Sequence, residues 1–265
     1  MGQTDNTAYQ RFFAKIRENR PLGGAFFRLS FDWDIEQPPA PGRFLTFRVT
    51  NGPVPLLRRP FAFSGYSPAE RRASVIVKRR GTATELLSRR TPGDEMDIIG
   101  PRGNRFPLPP DAKSAVLLAG GIGLGPLLFF ARELRALGRR VSLIFGCRSR
   151  EELPLHEELE SCDPVLCTED GSLGYPGTVL DRLDTLPDLD AADTVLYACG
   201  PTGMLKAAAG FAHRQGCRCW ISMEQVMGCA VGACMGCAIR VAGGSGYARV
   251  CQEGPIFDSR EIVWD

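Results

Sequence analysis

"SAVLLAGGIGLGPLLFFARELRALG", residues 114–138, is the stretch that decides the fold. "SAVLLAG" is a continuous apolar run of the kind that forms a strand buried on both faces. "GIGLG" follows as a tight turn. "PLLFFARELRALG" then reads as a helix with Pro126 at its first position and Gly138 as its stop. Downstream the same grammar returns. "RVSLIFGCRS" and "DTVLYACG" read as two further buried strands, and "PTGMLKAAAGFAHRQG" as a second helix begun by Pro and ended by Gly. Alternation of strand and helix over 114–216 predicts a parallel sheet.

Glycines 120, 121, 123 and 125 lie between the first strand and its helix. Backbone without Cβ atoms approaches a ligand closely, and the helix end offers unpaired N–H groups to a phosphate. The turn is not a G-x-G-x-x-G fingerprint, because Pro stands at 126 and no acidic residue ends the second strand. A strand–helix turn without a ligand is the alternative. "ACGPTGM" repeats the device after the third strand, so two such turns would share the carboxyl edge of one sheet, where open α/β sheets bind ligands. Cys199 would face that crevice.

Upstream of residue 108 the texture differs. "AFFRLSFDW", "GRFLTFRVT", "ASVIVKRR" and "DEMDIIG" are short β-runs broken by Gly and Pro, predicting a small antiparallel barrel or sandwich. "FPLPPDAK" links it to the sheet. The expected division is 1–110 for the barrel, 111–216 for the nucleotide-type unit and 217–265 for a tail with too few apolar residues to form a core alone. In the barrel, "LLRRPFAFSGY" puts Arg59 and Pro60 ahead of an aromatic–small–aromatic alternation. Arg suits a diphosphate, and Phe61 or Phe63 a flat ring. Gly81, Thr82 and Thr84 precede the short helix "ELLSR" and offer another phosphate seat. Each of these reads equally well as ordinary structure.

A chain of 265 residues, 44% hydrophobic and 23% charged, is globular material with a net charge of +2, which predicts neither nucleic acid nor an anionic membrane as partner. No stretch has signal or membrane-spanning length, so a cytosolic setting is expected, in which ten cysteines stay reduced. Two histidines leave little material for imidazole sites or His-based triads. Cysteine is the available ligand.

Four of the ten stand together in the tail. "MGCAVGACMGCAIRV" and "YARVCQEGPIFD" place Cys229, Cys234, Cys237 and Cys251 in the order C-x4-C-x2-C…C. That is the plant-type [2Fe–2S] spacing. Gly228, Gly232 and Gly236 would let the loop wrap a cluster and aim N–H groups at sulfur. Zinc is the rival, although zinc sites usually use two short C-x2-C hooks and only one is present. Cys147, Cys162, Cys167, Cys217 and Cys219 are expected in core or loop positions, with Cys217 and Cys219 close enough in sequence to the four to be watched.

In order along the chain, the R-P start with its nearby serine, the turn before "LLS", "PGDEMDIIGPRGNRF", "AGGIGLGPL" and "CGPTGM" resemble the ferredoxin-reductase-type flavoprotein superfamily. The cysteine tail and "YARVCQEGPIFDSREIVW" narrow the resemblance to the electron-transfer subunits of class 1B dihydroorotate dehydrogenases. It implies a multidomain α/β plus β fold: an antiparallel FAD-binding barrel, a parallel-sheet NAD-binding domain and a small iron–sulfur domain. For FAD it points to Arg59, Pro60, Phe61 and Ala62, to Ile76, Val77 and Lys78, and to Ala83 and Thr84. Ala62 stands where the family carries a hydroxyl, which Ser64 would replace, and Ala83 stands where it carries glycine. For NAD it points to Gly121, Gly123, Gly125, Cys199, Gly200, Pro201 and Met204. For the [2Fe–2S] cluster it points to the four tail cysteines, with no departure. The partner implied is an FMN-containing dihydroorotate dehydrogenase catalytic subunit, two copies of each chain forming a heterotetramer. Electrons would pass from that FMN through the cluster and FAD to NAD+ in pyrimidine biosynthesis. The alternatives are a sibling subunit serving a hydrogenase or a ferredoxin:NADP+ oxidoreductase, and a zinc-bearing nucleotide-sensing module. No spacing separates NAD from NADP, for which Arg148 is the residue to watch.

Overall fold

The computed structural model describes residues 9–153, 159, 162–186 and 190–264. Its first sheet is antiparallel, in the order β4-β3-β7-β1-β2-β6-β5. The strands are β1 (Gln10–Gly23), β2 (Phe26–Asp32), β3 (Phe44–Arg48), β4 (Arg59–Ala62), β5 (Gly65–Ser67), β6 (Arg72–Lys78) and β7 (Glu95–Arg102). Strand β1 is shared between two halves: residues 10–15 pair with β7, and from Ile16 onward it pairs with β2. This change of partner curls the sheet around Trp33. The indole is fully buried, meets Phe12 and Phe63 edge-on at 5.1 Å each, and donates its N–H to the Gln37 carbonyl at 2.7 Å. Burying the ring while satisfying its one polar atom makes it a favourable centre for a small core.

Helix α1 (Thr82–Ser88) closes the barrel with buried Leu87. The second sheet runs β11-β10-β9-β8-β12-β13-β16, with β8 (Ser114–Gly120), β9 (Arg140–Cys147), β10 (Val165–Thr168), β11 (Tyr175–Pro176), β12 (Thr194–Cys199), β13 (Arg218–Ser222) and β16 (Ile256–Asp258). All neighbours are parallel except β16 on β13. From β8 the chain builds outward through β9 and β10, then returns to place β12 on the other side of β8. The crevice of such a sheet opens at this reversal, between the ends of β8 and β12.

Helix α2 (Leu124–Ala136) begins two residues before Pro126, which therefore occupies the third position and not the first. The first turn tolerates it because those N–H groups have no intrahelical acceptor. Gly138 ends the helix in a left-handed conformation, as expected. Short helix α3 (Val179–Leu183) and α4 (Thr202–Gln215) complete the layers, Gly216 capping α4 with φ 69°. The tail does not stand alone: β13 and β16 complete the nucleotide sheet, while Ile239, Val250, Cys251, Phe257 and Ile262 join its core. Only β14 (Ala238–Arg240) and β15 (Tyr247–Arg249) form a sheet of their own. The boundary expected at 216/217 thus falls at the edge of a strand in a continuous sheet. Among the described residues no helix is long and apolar enough to cross a membrane.

Candidate functional site

Two adjoining cavities lie where the barrel meets the crevice. The first, about 250 Å³, has Pro60, Phe61 and Ala62 of β4 and Ile76, Val77 and Lys78 of β6 on its barrel side. Ile122, Pro126, Cys199 and Ser222 face them from the nucleotide sheet, and Met223, Glu224, Met227 and Pro255 come from the tail. Three consecutive residues of each strand border the slot, all apolar except Lys78. Arg80 and Lys78 stand on its wall beside an open hollow formed by Arg79, Arg80, Gly81, Thr82 and Arg89. A narrow apolar slot beside clustered cations fits a flat ring carrying a diphosphate.

Thr84 lines the same slot, but its hydroxyl is taken up locally, accepting from the Arg80 N–H at 2.9 Å and the Gly81 N–H at 3.2 Å. Three expected flavin residues are not on the wall. Arg59 donates to the Leu57 carbonyl at 2.7 Å. Ser64 is buried and shares a 3.3 Å hydrogen bond with Ser74. Ala83 packs into the barrel core.

The second cavity, about 530 Å³, sits over the sheet edge and is lined by Gly120, Gly121, Pro201, Gly203 and Met204, with Gly146, Arg148, Glu169 and Thr178 opposite. Lys78 and Arg80 border both cavities. Gly123 lies beneath the nucleotide turn: a Cβ there would stand 2.0 Å from the Cys199 carbonyl oxygen, so only glycine lets the two loops close together. A Cβ on Gly200 would meet the end of Met204 at 2.6 Å and Gly120 at 3.0 Å, and Gly125 faces Ile76 and Ser64 of the barrel. Cys199 opens onto the first cavity. Burial, and then the charge of Glu224, pushes its thiol up to about 12. Glu224 is open to water on one side, yet it lies deep enough in the slot that desolvation raises its carboxyl pKa against the pull of Arg80.

The tail cysteines form two pairs. Cys229 accepts N–H bonds from Val231 and Cys234 at 3.4 Å each and neighbours the Cys234 thiol. Desolvation opposes ionisation of Cys229, but those hydrogen bonds outweigh it and bring the thiol down to about 6. Cys237 accepts from the Cys251 N–H at 3.4 Å, and burial together with contact with Cys237 pushes the Cys251 thiol up to about 12. Left-handed Ala230, Gly232 and Met235 give the loop the tight turns that aim N–H groups at sulfur.

Among the described residues no three His, Cys, Asp or Glu side chains converge as ligands of one ion. Four cysteine thiols gathered in one glycine-rich loop, with N–H groups aimed at sulfur, have the donor set of a [2Fe–2S] cluster. The remaining cysteines are buried as expected, with Cys147 and Cys167 pushed up to about 11 and Cys219 to about 12 by burial, which keeps them protonated and poor ligands. The slot and the thiol loop adjoin. Met227 stands on the slot two residues before Cys229, and Pro255 four residues after Cys251.

Fold and site together define a ferredoxin-reductase-like oxidoreductase with an iron–sulfur tail. Residues 224–263 match the family model for the iron–sulfur cluster binding domain of dihydroorotate dehydrogenase B, and residues 117–210 match the oxidoreductase NAD-binding domain. The dihydroorotate dehydrogenase B (NAD(+)) electron transfer subunit of Bacillus caldolyticus is 36% identical over 86% of this chain and 89% of its own. That of Geobacillus sp. (strain WCH70) is 36% identical over 94% and 96%. The chain belongs to this family of electron-transfer subunits. The structure of an NADH-dependent reduced ferredoxin-NADP oxidoreductase superposes with a TM-score of 0.81 at 27% identity, covering 95% of this chain and 90% of that one. Phthalate dioxygenase reductase shares the fold, with a TM-score of 0.62 at 21% identity over 88% and 87%.

Sequence reasoning missed Glu224, Met227 and Pro255 on the slot, Glu169 and Thr178 on the nucleotide cavity, and Arg102 beside the thiols. Arg102, Met227 and Pro255 stand inside stretches the sequence singled out for other residues, while Glu169, Thr178 and Glu224 carry no local motif.

Proposed function

We propose that this chain takes electrons from a partner subunit that oxidises dihydroorotate and delivers them to NAD+, serving pyrimidine biosynthesis in the cytoplasm. The partner would hold FMN, two copies of each chain forming the assembly. The observation that carries this reading is the shared wall: Met227 and Pro255 border the flat apolar slot and also bracket the paired thiols. A cluster and a flavin placed there would be close neighbours.

In this reading residues 1–110 hold FAD, 111–216 bind NAD(H), and 217–265 carry the cluster. Pro60, Phe61, Ala62, Ile76 and Val77 confine the ring, while Lys78 and Arg80 meet the diphosphate. Gly121, Pro201 and Met204 floor the nucleotide seat, with Gly123, Gly125 and Gly200 permitting its close packing. Cys229 with Cys234 and Cys237 with Cys251 each hold one iron. When bound, the cluster supplies one-electron transfer and the flavin converts such electrons, two at a time, into hydride for the nicotinamide. The residues orient the groups, exclude water and set their spacing, and no side chain is required as a general acid or base.

Anaerobic purification with metal and flavin analysis tests the reading. One FAD and two irons per chain, with NADH bleaching the flavin band, are expected. A colourless protein carrying one zinc would end it. Retention of a dihydroorotate-oxidising subunit separates it from the ferredoxin-linked alternative, for which the curated relatives at 36% identity give less support than for this one.

A further inference from the structure

Arg102 ends β7 and reaches out of the barrel into the thiol loop. It is 5% exposed. Its Nε donates to the Ala230 carbonyl at 3.1 Å, and its Nη2 donates to the Cys251 carbonyl at 3.2 Å and to Gln252 Oε1 at 2.7 Å. The guanidinium lies over the Tyr9 ring, 4.6 Å from its centroid. Every one of these partners is neutral, and no carboxylate among the described residues pairs with it. Arg249, the other arginine at the loop, is different. It donates to the Gly232 carbonyl at 2.6 Å, but its charge is answered by Glu253 at 3.1 Å.

A buried guanidinium cannot shed its proton, and holding it without an anion is expensive. The fold therefore places a positive charge on the backbone of the thiol loop, at the Ala230 and Cys251 carbonyls next to two of the four cysteines. Two ferric ions, two sulfides and four thiolates together carry a net negative charge, which grows when an electron is added. A fixed cation nearby favours the more negative form.

We propose that Arg102 is the counter-charge that sets the reduction potential of the cluster, held in place by the Ala230 and Cys251 carbonyls. This rests on the reading of the four thiols as ligands of a [2Fe–2S] cluster. Arg102 is thus a positioning residue that acts through the field it imposes. Because it springs from the barrel, the charge keeps a constant position relative to the flavin slot.

The test is an EPR-monitored redox titration of the purified holoprotein with dithionite, with iron counted per chain, for wild type, Arg102→Lys and Arg102→Gln. The expected result is a lower cluster midpoint potential in the glutamine variant and a potential near wild type in the lysine variant, which keeps the charge and loses the fork of hydrogen bonds. Iron kept by the lysine variant and lost from the glutamine variant also supports the proposal. An unchanged potential in Arg102→Gln, an equal fall in both variants, or iron lost from both would overturn it and leave Arg102 a strut. A wild-type protein without two irons and a cluster signal fails at the earlier step, and takes both readings with it.

Discussion

Lys78 of the barrel and Glu152 of the nucleotide unit meet at 2.9 Å, where the two cavities share a wall. Lys78 borders both cavities, so this ion pair joins the apolar slot to the cavity over the sheet edge. Its side chains are 18% and 33% exposed, enough for water to weaken the pair without abolishing it.

Glu152→Gln should therefore leave the Lys78 charge unopposed at the entry of an anionic dinucleotide. Affinity for NADH is expected to rise about 2–5-fold, corresponding to ~0.5–1 kcal/mol. Fluorescence titration measures it, and weaker binding would show that the Glu152 carboxylate contacts the nucleotide itself.

The pairing of the tail thiols predicts a sharp division among the ten cysteines. Serine at Cys229, Cys234, Cys237 or Cys251 should strip the iron and loosen the loop while FAD stays bound, because slot residues on β4 and β6 do not depend on the loop for their fold. Alanine at Cys217 or Cys219 should leave two irons per chain. Iron analysis beside the flavin absorbance decides. Full iron in Cys234→Ser would count against the pairing.

Gly123→Ala forces a Cβ to within 2.0 Å of the Cys199 carbonyl, against backbone that has no room to yield. A loss of about 1–3 kcal/mol follows, lowering the melting temperature by roughly 2–12 °C. Gly121→Ala, at φ 53° with nothing within 4 Å of its Cβ, should cost only ~1 kcal/mol of backbone strain. Thermal melts of the two variants should therefore differ in this order, and the reverse order would refute the close-packing argument.

Asp97 on β7 receives Arg11 Nε at 3.1 Å and Arg11 Nη2 at 2.8 Å, and also pairs with Arg58. Burial by itself would raise its pKa, but the hydrogen bonds from Arg11 and Arg58 hold the carboxyl below its usual range. A depressed folded value adds stability above the unfolded pKa of about 3.9, and that stability is lost as pH falls through the lower folded value. Asp97→Asn should cost about 1–3 kcal/mol at pH 7. The gap to wild type in urea denaturation should narrow as pH falls below the unfolded value of about 3.9 and through the lower folded one. A gap that stays constant with pH would mean that packing, and not charge, is what Asp97 contributes.

The nucleotide sheet was readable because β8, β9 and β12 are buried on both faces, and burial of that kind demands unbroken apolar runs. Strand β1 was not readable. Only Ala14, Ile16 and Leu22 of "QRFFAKIRENRPLG" are buried, too few to mark so long a strand, and its pairing is carried by backbone hydrogen bonds that side-chain pattern does not report. Short strands β13 and β16 escaped for a related reason: their place in the sheet depends on neighbours far away in the chain. Pro126 was placed two residues early, because the helix begins in the glycine turn itself. Ser64 also has a neighbour that no local pattern announces, the Ser74 hydroxyl at 3.3 Å.

By itself the sequence determined the classes of strand and helix, the glycine turns at one sheet edge and the spacing of the four tail thiols, since each is a short-range pattern imposed by burial or by loop length. Only the tertiary structure decided that the thiols stand two and two, that the slot and thiol loop share Met227 and Pro255, and that Arg102 sits uncompensated between them. These are meetings of residues up to about 150 positions apart, brought about by closing the barrel onto the sheet, and long-range packing of that kind leaves no local trace in composition or periodicity.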